Sequence, residues 1–155
     1  MSTVNVRASV PHRGPAEAFE LIADFGRYAE ICPEVRSVSV AAIDEHLLRS
    51  TWEVEFRDGA LTWTEEDRLD PGAGTISFDQ VDGDFEAFGG AWEVRAVGSG
   101  SEVSFRADFD LGITSLRSII DPIAERSLRE NIEMILVRVL GDGTAIESGP
   151  PGATS

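Results

Sequence analysis

The segment 47-LLRSTWEVEFRDGALTWTEEDRLD-70 decides the architecture. Asp58-Gly59 stands between two runs of alternating residues, and Asp-Gly is the favoured centre of a two-residue type I′ hairpin turn. A hairpin closed there sets Arg57 opposite Ala60, Phe56 opposite Leu61, Val54 opposite Trp63 and Trp52 opposite Glu65. Ser50 then faces Asp67, and Leu48 faces Leu69. These residues make one mostly apolar face. The other face takes Arg49, Thr51, Glu53, Glu55, Thr62, Thr64, Glu66 and Arg68, all polar. A slip of one residue would exchange the faces wholesale, so the clean separation supports strands buried on one side. The acids at 65–67 divide accordingly: Glu66 goes out to solvent with Arg68, while Glu65 and Asp67 point inward beside Trp52 and Trp63.

Working outward, turn signals recur at Asp44-Glu45, Pro71 to Gly74, Asp82-Gly83 and Gly98 to Gly100. With the central hairpin they predict six antiparallel strands at 35–43, 46–57, 60–70, 75–81, 84–97 and 100–111. The hairpin ending at Asp70 and Thr75 puts Phe78 opposite Asp67 and Gln80 opposite Glu65; the last one puts Trp92 opposite Phe105. In strand 84–97 Phe85 and Ala87 continue the inner face, yet Trp92 and Val94 belong there too. A bulge at Gly89-Gly90 would reconcile them. Residues 3–10 alternate as a first strand, Pro15 opens a helix, and Tyr28 to Cys32 form a second short one. A long helix runs from an N-cap at Asp121, with Pro122 at its first position, to a stop at Gly141. Ile119-Ile120 are expected to form a separate short turn, since Pro122 would break a continuous helix. Ala124, Leu128, Ile132, Ile135 and Val139 make the apolar stripe of that helix, and Asn131 on its edge faces a cavity.

One long helix must cover seven strands. The fold class is therefore α+β, a curved antiparallel sheet wrapped around the C-terminal helix with a hydrophobic cavity between them. Residues 1–140 read as a single domain and 141–155 as a flexible tail rich in Gly, Pro and Ser.

Composition removes much chemistry. The net charge is −15, and all thirteen basic residues are arginine. Without lysine there is neither a Schiff-base nucleophile nor a P-loop, and the charge repels nucleic acid and anionic membranes. His12, His46 and Cys32 have no ligand spacing, so no metal site and no Ser-His-Asp triad is expected. No apolar run approaches the ~18 residues of a membrane span. No signal peptide is visible, and a lone cysteine suits a reducing cytoplasm.

The order of elements, with TWTEEDRLDPGAGTISFDQVDGDF (62–85) and GGAWEV (89–94), resembles the polyketide cyclase/aromatase and ubiquinone-binding branch of the START-like (SRPBCC) helix-grip superfamily. The resemblance covers the chain to about Leu140. It implies a deep cavity in which some members fold and dehydrate poly-β-ketone chains into aromatic rings, while others hold or carry quinones and lipids. It implies no cofactor, and an acyl carrier protein as a possible source of the substrate. Where the single-ring aromatase/cyclases place an inward arginine, this chain has Asp67. Their aromatic residue in the second short helix is retained as Tyr28, and a cavity tyrosine after it is replaced by Val35.

The expected catalytic pair is Glu65 and Asp67, two residues apart on one face, where burial and repulsion raise at least one pKa. Such carboxyls fit proton transfer in a cytoplasmic cyclase/aromatase of natural-product biosynthesis. Tyr28, Trp52, Trp63, Phe78, Gln80, Trp92, Phe105 and Asn131 are the expected substrate-binding residues. The alternative is a non-catalytic carrier of a hydrophobic quinone or lipid, with the same aromatic residues simply forming core.

Overall fold

The computed structural model describes residues 2–56, 59–112 and 117–147. Strand β1 (Ser2–Val10) leads into helix α1 (Pro15–Ala23), a 3₁₀ turn at Phe25–Arg27 and the short helix α2 (Tyr28–Ile31). The meander follows as β2 (Val35–Asp44), β3 (Leu47–Phe56), β4 (Gly59–Asp70), β5 (Thr75–Gly83), β6 (Ala87–Val97) and β7 (Gly100–Asp110). Helix α3 (Arg117–Leu140) and a two-residue strand β8 (Ala145–Ile146) complete the chain. All neighbours in the sheet are antiparallel, in the order β2-β3-β4-β5-β6-β7-β1-β8. The helix-grip architecture read from the sequence is the one observed.

Alternation separates the faces as expected. Ser50, Trp52 and Val54 of β3 are buried, as are Leu61, Trp63, Glu65 and Asp67 of β4. The register of this central hairpin, however, is shifted by two residues. Trp52 pairs with Trp63, Ser50 with Glu65 and Leu48 with Asp67, and Phe56 pairs with Gly59. Gly59 is thus a strand residue and not the second turn position; Arg57 and Asp58 lie outside the described residues. An even shift keeps every side chain on its face, so hydrophobic pattern cannot detect it. What it gains is a directly opposed indole pair, with rings stacked at 6.1 Å and 9°, a favourable cross-strand combination.

The β4–β5 and β6–β7 pairings agree with expectation: Asp67 faces Phe78, Glu65 faces Gln80, and Trp92 faces Phe105. The bulge expected at Gly89-Gly90 is absent, since β6 runs against β7 without a register shift. The phase conflict disappears because β6 begins at Ala87, so that Phe88 and Trp92 share the inner face. Phe85 reaches the core from the turn before the strand and is 4% exposed. The irregularity lies instead in the β4–β5 pair, where Thr64 meets Asp82 but Glu65 meets Gln80. Beyond it Gly83, at φ +146°, would place a Cβ 2.5 Å from both Cα and Cβ of Trp63. Those are main-chain-fixed atoms, so Gly83→Ala must distort the pairing. We expect a loss of about 3 kcal/mol and a thermal midpoint roughly 6–12 °C lower by calorimetry; an unchanged midpoint would contradict this packing.

Helix α3 departs from expectation at its start. It is continuous from Arg117, with Pro122 inside it. Proline removes only one ladder bond there, close to an end whose first four N–H groups have no helical partner anyway. Ala124, Leu128, Ile135 and Val139 are buried as expected, and Leu136 and Leu140 join them. The helix stops at Gly141 (φ +90°), whose N–H bonds to the carbonyl of Val137 at 2.9 Å. Arg13 Nε donates to the terminal carbonyl of Leu140 at 2.7 Å, a favourable position for a cation. Within the segment read as a tail, Ala145 and Ile146 pair with β1, and Glu147 N–H donates to the Arg7 carbonyl at 2.8 Å.

Candidate functional site

A cavity of about 60 Å³ lies between the inner face of the sheet and α3. Its walls are almost wholly apolar. Trp52 and Trp63 from the central hairpin, Phe78 from β5, and Trp92 and Phe105 from the β6–β7 pair all line it. Tyr28 enters from α2, and Asn131 from α3 stands among Leu128, Ile132 and Ile135. Of the expected binding residues, these seven converge. Phe88, which the sequence pattern did not reveal, joins them; it stacks on Phe85 at 4.4 Å and meets the edge of Trp63 at 5.3 Å. Gln80 is a correction. It does not line this cavity, because its amide is taken by the turn below: Nε2 donates to the Phe85 carbonyl at 2.9 Å and Oε1 accepts from the Phe85 N–H at 3.2 Å. That turn leaves its own backbone groups without ladder partners, and the side chain satisfies them.

Among the described residues Glu65 is the one carboxyl on the cavity wall. It is 4% exposed, and its Oε1 accepts the indole N–H of Trp63 at 2.7 Å. Asp67 is wholly buried and does not reach the cavity. It stands behind Glu65, where Oδ2 accepts the Ser50 hydroxyl at 2.6 Å, and the Ser50 oxygen in turn accepts the Trp52 indole N–H at 2.8 Å. The two carboxyls lie close enough for each to influence the other's protonation. Burial drives the Glu65 pKa well above the ordinary carboxylate range, and the neighbouring Asp67 drives it further. Burial also raises Asp67, against the influence of Glu65 and the bond from Ser50, which favour its ionised form. These influences favour holding a proton on Glu65 rather than on Asp67. Asp67 Oδ1 is enclosed and has no donor among the described residues. Of the two carboxyls, Glu65 is the one that faces the apolar space.

Two further polar groups are engaged by the fold. The Tyr28 hydroxyl donates to the Ile22 carbonyl at 2.5 Å, and burial pushes its pKa well up, so it is a neutral wall. Asn131 Nδ2 donates to the Glu55 carbonyl at 2.8 Å, tying α3 to the end of β3. Cys32 is buried, with its thiol pushed up to about 11 by that burial. No helix among the described residues is long and apolar enough to cross a membrane.

Solved structures share this architecture. TTHA0849 from Thermus thermophilus superposes with a TM-score of 0.79 at 23% identity, over 90% of this chain and 97% of that one. The Zhui aromatase/cyclase from Streptomyces sp. R1128 gives 0.74 at 17% identity, over 89% and 93% of the two chains. A START superfamily protein from Mycobacterium smegmatis gives 0.72 at 15%, over 86% and 93%. No functionally curated protein matches the sequence. The sequence profile described as polyketide cyclase/dehydrase and lipid transport matches residues 12–135, from the turn after β1 into the part of α3 that closes the cavity. With strands β2 to β7 and most of α3 inside that span, the chain belongs to the polyketide cyclase/dehydrase and lipid-transport family.

Proposed function

We propose that the chain catalyses aldol-type cyclisation and dehydration of a polyketide-like substrate, with Glu65 as the catalytic acid–base and Asp67 as its positioning partner. The observation that carries this reading is a buried pair of carboxyls, one of which, Glu65, opens onto an apolar cavity. Transfer of its proton to Asp67 leaves Glu65 as a carboxylate facing the ligand. It removes a proton from a methylene between two carbonyls; the resulting carbon attacks a ketone carbon further along the chain, and the pair, now holding two protons, returns one to the new alkoxide. Dehydration repeats the exchange: a second α-proton enters the pair as the hydroxyl departs with one from it, as water. Protons balance within the pair. Because β-keto methylenes are already acidic, holding the chain in the folded geometry supplies much of the rate. Natural-product biosynthesis is the setting such a substrate suggests, with an acyl carrier protein presenting it.

A carrier role for a quinone or lipid has its own support in the apolar, aromatic lining of the cavity, whose volume is about 60 Å³. A longer ligand must displace side chains, which suits tight holding as well as turnover. Incubation with a carrier-bound poly-β-ketone decides between them: the expected result is a faster appearance of the cyclised, dehydrated product. An unaltered product distribution, with a stoichiometric quinone or lipid released on denaturation and weighed by mass spectrometry, would establish the carrier.

A further inference from the structure

The three cavity tryptophans differ in one respect. Trp52 donates its indole N–H to Ser50 and Trp63 donates to Glu65. Trp92 lines the same cavity, yet its N–H meets no acceptor among the described residues. It is also not among the fully enclosed polar atoms that lack a partner, so it keeps contact with open space. A tryptophan this deep, at 5% exposure, ordinarily finds an acceptor for that group. Of the other lining donors, Tyr28 is committed to Ile22, and Asn131 on α3 gives one of its two amide hydrogens to Glu55. The indole is a donor left for a ligand.

Among the described residues the lining contains no arginine, lysine or histidine. Its ionisable groups among those residues are Tyr28 and Glu65, with Asp67 close enough to Glu65 to influence it. A ligand carboxylate in this space would meet an apolar wall and a negative partner, with no cation to compensate, inside a chain of net charge −15. Unpaired burial of an anion is strongly unfavourable. A neutral carbonyl oxygen has the opposite balance, since it needs one donor and finds one.

We propose that the cavity selects an uncharged ligand, accepts its carbonyl oxygen on the indole N–H of Trp92, and rejects ligands that present a carboxylate. The inference rests on the cavity being the ligand site and narrows what that site takes: neutral ketones, quinones or carrier-bound thioester chains, and not free fatty acids.

Three near-isosteric probes test it, titrated at pH 7 and followed by NMR chemical shifts: acetophenone, benzoate and ethylbenzene. Acetophenone is expected to bind at least about tenfold more tightly than benzoate. Trp92→Phe, which keeps the ring and removes the N–H, is expected to weaken acetophenone about three- to tenfold while leaving ethylbenzene unchanged. Benzoate binding as well as acetophenone would overturn the proposal. So would a Trp92→Phe effect of equal size on acetophenone and ethylbenzene, which signals packing alone. If none of the three binds, the cavity is not the ligand site and the proposal falls with that reading; if ethylbenzene binds and no preference appears, the proposal alone fails.

Discussion

Glu65→Gln is expected to lower the rate of cyclisation by at least about 100-fold, the usual contribution of a positioned acid–base, without lowering the thermal midpoint at pH 7. Glutamine reproduces the protonated acid almost atom for atom. Its carbonyl can accept the Trp63 indole N–H, as Glu65 does, and its amide can donate toward Asp67, whose Oδ1 has no donor among the described residues. It cannot exchange a proton. The sign of the stability effect follows from linkage. Glu65 has a folded pKa well above the ordinary value of 4.5. Between the unfolded and folded values the native chain holds more protons than the unfolded one, so native stability falls as pH rises through that window. Glutamine has no such loss. The variant should therefore match the parent below about pH 4, near the unfolded carboxyl pKa, and equal or exceed it at pH 7. Retained turnover would remove the acid–base role; a midpoint that falls at pH 7 would show that the carboxyl is held ionised.

The faces of β3 and β4 were legible because period-two alternation is an all-or-none signal, and it placed Glu65 and Asp67 inside correctly. It could not reveal which residues are partners across the hairpin, since a shift of two preserves both faces. Nor does a face give depth. Asp67 points the same way as Glu65 but lies under it, bonded to Ser50, and only Glu65 reaches the cavity. Phe88 was missed for a different reason. The glycines at 89 and 90 invited a bulge that would have kept Phe85 and Trp92 on one strand, when the strand simply begins two residues after Phe85. Gln80 was paired correctly and still does not line the cavity, because the unpaired backbone of Phe85 competes for its amide. Strand β8 has two residues, too few for any periodicity. In each case the missing information is non-local: a competing partner, or a distance from the cavity.

Two replacements at Asp67 separate its charge from its hydrogen bonds. Asp67→Asn keeps an oxygen to accept the Ser50 hydroxyl and removes the negative charge beside Glu65. The influence by which Asp67 raises Glu65 is then lost or reversed, while burial persists. The Glu65 pKa should fall, and the limb of the pH–rate profile at which Glu65 loses its proton should move to lower pH. Asp67→Leu instead leaves the Ser50 hydroxyl without an acceptor in a buried place. An orphaned group costs about 1–3 kcal/mol, so the leucine variant should be less stable than the asparagine variant by that order in urea unfolding. Equal stability of the two would mean that Asp67 acts through its volume alone. A pH–rate profile unmoved in Asp67→Asn would mean that the proton on Glu65 is set by desolvation without help from its neighbour. The expected pattern is a shifted limb in one variant and lost stability in the other. It would establish that Asp67 keeps a proton on Glu65, the carboxyl that a ligand in this cavity can touch. An arginine at this position would hold Glu65 ionised, and the acid that the cavity now presents would be gone.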